Sequence, residues 1–202
     1  MSYDINALEA GALDAGPSDP AELAASLAAP LRRELSRLAS GLGLTAVYGL
    51  ALGARTGGAD LVRHALGAPL GVLVVALVAA PSLFVRLALI DAPLRPAPML
   101  AAVAQAVFST GLVLAGLAPA AAMLVVSIES APAAAWMSGL GLWLAGGIGL
   151  FNFCAALKQG LAGADLRMQS RAFFALAVFT LLSCALSARV WCAWLPLLRG
   201  GS

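Results

Sequence analysis

The residues of this sequence that could carry chemistry are few: one histidine, three cysteines and ten carboxylates in 202 residues. His64 is the only imidazole, and we place it in the loop before the second membrane span, so a bis-histidine haem site within one chain is excluded. The cysteines lack CxxC spacing, and Cys184 and Cys192 lie too far apart along one helix for a disulfide. We therefore predict no catalytic residue, no cofactor and no metal, and a protein that is not an enzyme; an enzyme acting on lipids would need His64 as its base.

Four uncharged polar side chains lie inside the predicted spans: Gln105, Ser109, Thr110 and Asn152. Ion-driven transporters normally place a carboxylate, a histidine or a lysine within the bilayer, and no carboxylate or histidine lies in a span interior here. We expect the four residues to join helices by hydrogen bonds. The alternative is that the first three line a path through a passive channel or a permease subunit, beside a bend at Pro119.

The elements that hold these residues are membrane helices, because 61% of the chain is hydrophobic, 11% is charged and the mean hydropathy is +0.94. Soluble globular chains carry about a quarter charged residues and under about half apolar ones. A net charge of +2 without a basic run also argues against a nucleic-acid partner. The composition predicts a polytopic membrane protein whose first partner is the lipid bilayer.

Five runs can cross a hydrocarbon core about 30 Å thick, which needs roughly 20 mainly apolar residues of helix. The first run has 17 residues, so its length alone leaves open whether it crosses fully. The sequence predicts an all-α fold, a transmembrane helical bundle of five spans with a short amphipathic helix before the first. The predicted domains are an acidic tail with that helix at 1–37 and a transmembrane domain at 38–202, with spans at about 38–54, 66–85, 98–128, 131–157 and 172–198.

Basic residues set the predicted orientation, because Lys and Arg concentrate in cytoplasmic loops. With five spans and the N-terminus inside, eight basic residues lie inside and three outside, whereas four spans give five against six. Arg189, near the outer end of the last span, can extend to the interface. We expect Trp136, Trp191 and Trp194 at the outer headgroup level. Together with an arginine-rich composition, this predicts a multi-pass protein of the bacterial cytoplasmic (inner) membrane, with the N-terminus cytoplasmic and the C-terminus outside.

Residues 1–31 form an acidic tail, with five carboxylates and no basic residue. The start of the chain lacks the positive and apolar regions of a signal peptide. A helix is expected from Pro20, because Asp19 suits an N-cap and proline suits the first helical position. Its leucines recur every three or four residues and form one apolar stripe. This helix either binds anionic lipid or a cytosolic partner, or only leads into the first span; the basic residues opposite its stripe are Arg32, Arg33 and Arg37.

Small residues within the spans are expected to let helix backbones approach closely, since lipid provides no hydrophobic force between helices. Gly49 with Gly53, and Gly67 with Gly71, are pairs spaced by four residues. Gly146 belongs to a glycine-rich fourth span. We interpret these glycines as intramolecular packing positions, with homo-oligomerisation or a partner helix as the alternative.

Prolines within the helices should bend them, because each removes a backbone hydrogen bond. We expect kinks at Pro81 and Pro119, and a kink or a split at Pro30. The bend at Pro119 matters most, because the third run would be about 46 Å long as a straight helix and exceeds the hydrocarbon thickness.

An acidic tail followed by five closely spaced spans resembles the Yip family of small membrane proteins. The segments GLTAVYGLALGA, APLGVLVVALVAAPSLFV and LAGLAPAAAMLVVS are similar to a group of uncharacterised bacterial five-span membrane proteins, over about residues 38–157. The Yip resemblance implies a membrane-organising or trafficking adaptor. We therefore expect a non-enzymatic integral membrane protein that organises or recruits membrane or cytosolic protein partners, with a passive channel or permease subunit as the alternative.

Overall fold

The structure is a computed structural model that describes residues 20–55, 57–89, 96–160 and 166–194. Five α-helices and their connections make up this part of the chain, which contains no strand. The predicted all-α class and the number of long helices are confirmed. The helices are α1 (Pro20–Gly53), α2 (Gly58–Leu89), α3 (Pro96–Ser127), α4 (Ala131–Gly160) and α5 (Leu166–Trp194).

Each helix is long and apolar enough to cross a membrane. Helices are the form expected for such segments, because lipid cannot bond to backbone N–H and C=O groups and an α-helix pairs them internally. The chain is accordingly a multi-pass membrane protein. The stretches that meet the length and composition of a span are Ala28–Gly53, Gly58–Leu89, Pro96–Ser127, Pro132–Gln159 and Arg167–Ala193.

The second helix begins earlier than the predicted span, and this corrects the placement of His64. Helix α2 starts at Gly58, directly after a turn in which Gly57 and Gly58 have φ values of 63° and 55°. Asp60 lies in its first turn, where a negative charge stabilises the end of the helix dipole. The polar residues at this position therefore form the helix start, and the prediction that His64 lies in a loop is wrong.

The first helix includes Pro30 and is not divided there, so of the two outcomes predicted at Pro30 the split is wrong and the kink stays a prediction. A proline removes one backbone donor, and the flanking hydrogen bonds can carry the helix past it. Pro81 and Pro119 are exposed on helices α2 and α3, which also continue through them. The kinks at these two positions stay predictions.

The chain divides into two compact units, residues 1–33 and residues 34–202. In the first unit the described residues belong to helix α1, and the acidic tail before Pro20 lies outside the described residues. The second unit contains the rest of α1 and the other four helices.

Two clusters of buried apolar side chains form the core of residues 34–202. The first core cluster joins the end of α1, the second half of α3, the first half of α4 and the end of α5. The second core cluster joins the end of α2, the start of α3, the end of α4 and the start of α5. Consecutive helices in these clusters therefore run in opposite directions. Helices α3 and α4 are antiparallel neighbours, since they make the most extensive contacts and only residues 128–130 join them.

Candidate functional site

Helix α1 crosses α3 at two buried glycines, Gly41 and Gly111. A Cβ atom at Gly41 would lie 2.7 Å from the carbonyl oxygen of Val107, and one at Gly111 would collide with the carbonyl group of Gly41. Both obstacles are backbone atoms, which cannot rotate away. The crossing therefore requires glycine on both helices.

Helix α1 meets α2 at the two glycines that the sequence pattern indicates. A Cβ at Gly49 would collide with the carbonyl group of His64, and one at Gly53 would lie 2.7 Å from the Cα of Leu61. These glycines let α1 and α2 approach backbone to backbone next to the turn that joins them. Both are intramolecular contacts, as the packing interpretation expects.

The end of α1 is also bonded to α4 through a buried tyrosine. The hydroxyl of Tyr48 donates to the carbonyl oxygen of Ser138, 3.0 Å away. Gly141, one turn further along α4, makes room for this hydroxyl, because a Cβ there would collide with it. Tyr48 is thus a hydrogen-bonded connection between helices that are far apart in the sequence.

Arg55 connects the turn after α1 to the hairpin between α3 and α4. Its guanidinium donates to the carbonyl oxygens of Ile128 and Glu129, each at 2.7 Å. Both carbonyl groups lie just after Ser127, the last residue of α3, so Arg55 pairs the backbone of the hairpin that follows this helix. The turn after α1 and the turn after α3 therefore lie at the same end of the bundle, as an alternating five-helix topology requires.

His64 is buried and is bonded within its own helix. Its Nδ1 lies 2.7 Å from the carbonyl oxygen of Asp60, and it must donate there because a carbonyl oxygen can only accept. The Asp60 carboxylate forms an exposed ion pair with Arg63 at 3.3 Å. The backbone carbonyl of His64 lies against Gly49 of α1, so this residue is part of a packed helix start.

A cavity of about 150 Å³ lies between helices α2, α3, α4 and α5. Members of both core clusters border it, including Leu142 and Trp191 of the first and Phe153 and Phe179 of the second. The cavity therefore occupies the middle of the bundle, where the two clusters meet. Its wall is apolar except for a few hydroxyl, thiol and indole groups.

Helix α5 contributes most of those polar groups, as a stripe of residues spaced by four. Ser183, Ser187 and Trp191 all border the cavity, and Cys184 adjoins them. Residues four apart on a helix share one face. The sequence shows this spacing, but composition alone could not show that the stripe faces inward.

Trp191 corrects the prediction that it lies at the outer headgroup level. Only 5% of its surface is exposed, and its indole belongs to the first core cluster. Gly71 on α2 leaves space for the indole Nε1, and Gly146 on α4 lies in ordinary contact with the opposite edge of the ring. These two glycines, predicted as packing positions, thus accommodate a side chain rather than a helix backbone. Gly67, of the same predicted set, is also buried.

The remaining predicted interface residues lie on the surface. Trp136, near the start of α4, is 76% exposed, and Arg189 on α5 is also exposed. The surroundings of the Trp194 side chain lie outside what the structure describes. In the basic cluster, Arg32 and Arg33 are exposed, whereas Arg37 is half-buried and pairs with Glu34 at 3.4 Å.

The polar residues predicted to line a path on α3 do not share one surface. Gln105 is exposed on the outside of the bundle, and the Ser109 hydroxyl donates to the carbonyl of Ala106 in its own helix. Thr110 alone is buried and borders the cavity, against Gly149 of α4. Asn152, the polar residue of α4, is half-buried. The predicted lining of a channel is therefore not assembled in this structure.

The sequence pattern also indicates Gly41 in retrospect, because Gly41, Thr45, Gly49 and Gly53 form a stripe of small residues at a spacing of four. Gly41 lies outside the pairs predicted for packing, although it makes the closest approach to α3. Within the described ranges, no three His, Cys, Asp or Glu residues are placed to hold a metal ion. Comparisons with protein families, with curated proteins and with solved structures found no match to this chain.

Proposed function

We propose that this chain is a non-enzymatic integral protein of a bacterial cytoplasmic membrane that recruits protein partners. The observation that carries the proposal is the way the bundle uses its polar groups. The hydroxyls of Thr45, Ser138 and Thr180 donate to carbonyl groups of their own helices. Tyr48 and Arg55 join separate helices. The first three groups are paired within their own helices and the last two join separate parts of the bundle, which leaves the ends of the bundle for recognition.

The proposed recruiting segment is residues 1–37, on the cytoplasmic side. Arg32 and Arg33 are exposed there, and five carboxylates precede them in the sequence. Basic residues next to a span retain their end of the chain in the cytoplasm. An acidic stretch followed by a basic one presents two oppositely charged regions. A partner that binds both must have complementary charges in the same order, which favours selectivity. With five spans, the C-terminus then lies outside.

Deletion of residues 1–31 tests this proposal. We expect the shortened chain to insert normally but to lose the partners that co-purify with the full chain in mild detergent, as quantified by mass spectrometry. An Arg63→Gln variant is the control, because Arg63 is an exposed arginine outside the deleted segment that forms only a local ion pair. An unchanged set of partners after the deletion would contradict the proposal.

Two further measurements separate this function from its alternatives. Reconstituted liposomes should show no flux of ions or small solutes above that of empty vesicles; a clear flux would favour the passive channel. Tags at the two chain ends should be reached by an impermeant reagent from opposite sides of the membrane. Labelling of both tags from one side would contradict the proposed orientation.

A further inference from the structure

A groove of about 460 Å³, separate from the central cavity, lies where the end of α2 meets the start of α5. Leu87 of α2 and Ala172 of α5 are buried in the second core cluster and hold the two helices together here. The residues before them, Arg86 and Arg171, both border the groove. Two arginines from different helices therefore share one groove. We call it the basic groove, and its other lining residues are Leu89, Ser170, Phe174 and Ala175.

The described residues do not neutralise the positive charge of the basic groove. Arg86 and Arg171 are exposed, and neither belongs to an ion pair in the part of the chain that the structure describes. Lys158, at the end of α4, is a third exposed cation at this end of the bundle, 5.6 Å from the centre of the Phe173 ring. By sequence, the adjoining connections contain one arginine and two carboxylates, so cations stay in excess. The groove is therefore complementary in charge to an anion.

The basic groove also has an exposed apolar side. Leu89 and Phe174 are 78% and 70% exposed. Each lies within a stretch that is long and apolar enough to cross a membrane, so hydrocarbon is the medium expected against these side chains. Arginines at the end of a span lie instead at the level of the lipid headgroups. Cations and exposed apolar side chains therefore adjoin in one groove, as the phosphate and the acyl chains do in a phospholipid.

We propose that the basic groove binds one anionic phospholipid, with its phosphate between Arg86 and Arg171 and an acyl chain against Leu89 and Phe174. Guanidinium groups form paired hydrogen bonds with phosphate oxygens, which suits them to this headgroup. A zwitterionic headgroup would bring its own cation next to the arginines, so the groove selects a headgroup of net negative charge. Free phosphate lacks the acyl chain and with it the hydrophobic part of the binding. This site does not depend on the protein recruitment proposed above.

Phosphatidylglycerol and phosphatidylcholine with identical oleoyl chains are the probes that test this inference, since they differ only in the headgroup and its charge. The full chain in mild detergent is titrated with each lipid, and the bound lipid is counted by native mass spectrometry. We expect one phosphatidylglycerol per chain to bind about 25-fold more tightly than phosphatidylcholine, because each arginine at the lipid surface contributes about five-fold. Equal affinities would overturn the inference, and this comparison requires no variant.

Two double variants locate the site. Arg86→Gln combined with Arg171→Gln should remove most of the preference for phosphatidylglycerol, and each single variant should lower it about five-fold. Arg63→Gln combined with Arg189→Gln is the matched control, because it removes the same charge from exposed positions near the other ends of α2 and α5. The control should retain the preference. Equal losses in the two double variants would overturn the inference, because any surface arginine would then serve.

A third variant separates binding in the groove from a general attraction to surface charge. Ser170→Phe places a large side chain in the basic groove and leaves both arginines in place, so it should weaken the binding of phosphatidylglycerol. Ala177→Phe is its control, because Ala177 is exposed on the same helix and lies outside the groove lining. Unchanged affinity in Ser170→Phe would show that the arginines act as separate surface charges and would contradict the inference.

Two other occupants are distinguished by the same measurement. Soluble glycerophosphoglycerol carries the headgroup without acyl chains and should not displace the lipid at equal concentration; displacement would make the groove a site for free phosphate esters. The acidic tail is the second candidate. A preference for phosphatidylglycerol that is absent in the full chain and appears only after deletion of residues 1–31 would identify the tail as the occupant. Either result would overturn the inference.

Discussion

Alanine substitutions at four glycines test the crossing of α1 and α3. Gly41 and Gly111 form the crossing, whereas Gly43 on α1 and Gly116 on α3 are exposed, and a Cβ at either would meet nothing within 4 Å. Replacing glycine by alanine in a helix interior stabilises the helix by about 0.5–1 kcal/mol. This gain is common to all four positions. The difference in stability between Gly41→Ala and Gly43→Ala on α1, and between Gly111→Ala and Gly116→Ala on α3, therefore isolates the steric effect.

The steric effect follows from the distances at the crossing. A Cβ at Gly41 would lie 2.7 Å from the Val107 carbonyl oxygen, whereas ordinary contact begins at 3.4 Å, so the helices must separate by roughly 0.7 Å. A gap of that size removes about a quarter to a half of the dispersion energy of the contacts it opens. Overpacking of this kind costs about 1–3 kcal/mol, and we expect the crossing variants to be less stable than their exposed counterparts by that amount.

The assay is equilibrium unfolding in mixed micelles with an increasing mole fraction of dodecyl sulfate, followed by far-ultraviolet circular dichroism. Gly43→Ala and Gly116→Ala should be as stable as the parent chain or slightly more so. The double variant of Gly41 and Gly111 should lose less than the sum of the single losses, because both methyl groups open the same contact. If all four single variants stabilise the protein alike, the close crossing described here does not exist.

Three further substitutions can be measured in the same unfolding assay. Arg55→Lys should lower the free energy of unfolding by about 1 kcal/mol, because lysine lacks the rigid pair of guanidinium donors that bond to the carbonyl groups of Ile128 and Glu129; Arg63→Lys, at a surface ion pair, is its control, and equal losses would argue against a contribution from these two bonds. Tyr48→Phe should lose about 1 kcal/mol with its hydrogen bond to α4, and no loss would mean that this bond does not contribute. Gly57→Ala should cost about 1–2 kcal/mol through its positive φ of 63° alone, and a neutral result would place the turn in another conformation.

Some features of the bundle could be predicted because the local sequence determines them. Uncharged apolar runs predict helices wherever lipid is the solvent, and the very short connection between α3 and α4 predicts that they are antiparallel neighbours. The glycine pair on α1 at 49 and 53 also lies at a helix contact, as its spacing indicates. The predicted split at Pro30 failed because helical hydrogen bonds on both sides of a proline can hold a helix together.

The interior could not be predicted in the same way, because it depends on which helix faces meet. Trp191 and Trp136 have the same side chain and both lie near a helix end, yet one is buried against Gly71 and the other is exposed. From the sequence, Arg55 serves only as one of the basic residues that predict the orientation of the chain. Its hydrogen bond to the carbonyl group that follows α3 depends on the fold.

The amino-acid sequence by itself determined that this protein is a set of five apolar helices, because hydrocarbon leaves the backbone no other way to pair its polar groups. Tertiary structure alone decided which small residues lie at helix crossings and which polar side chains are buried inside the bundle. In a chain that is apolar on every side, hydrophobicity does not distinguish the face that meets a neighbour from the face that meets lipid. The stripe of Ser183, Ser187 and Trp191 lines a cavity because the contacts between α2 and α5 turn that face inward.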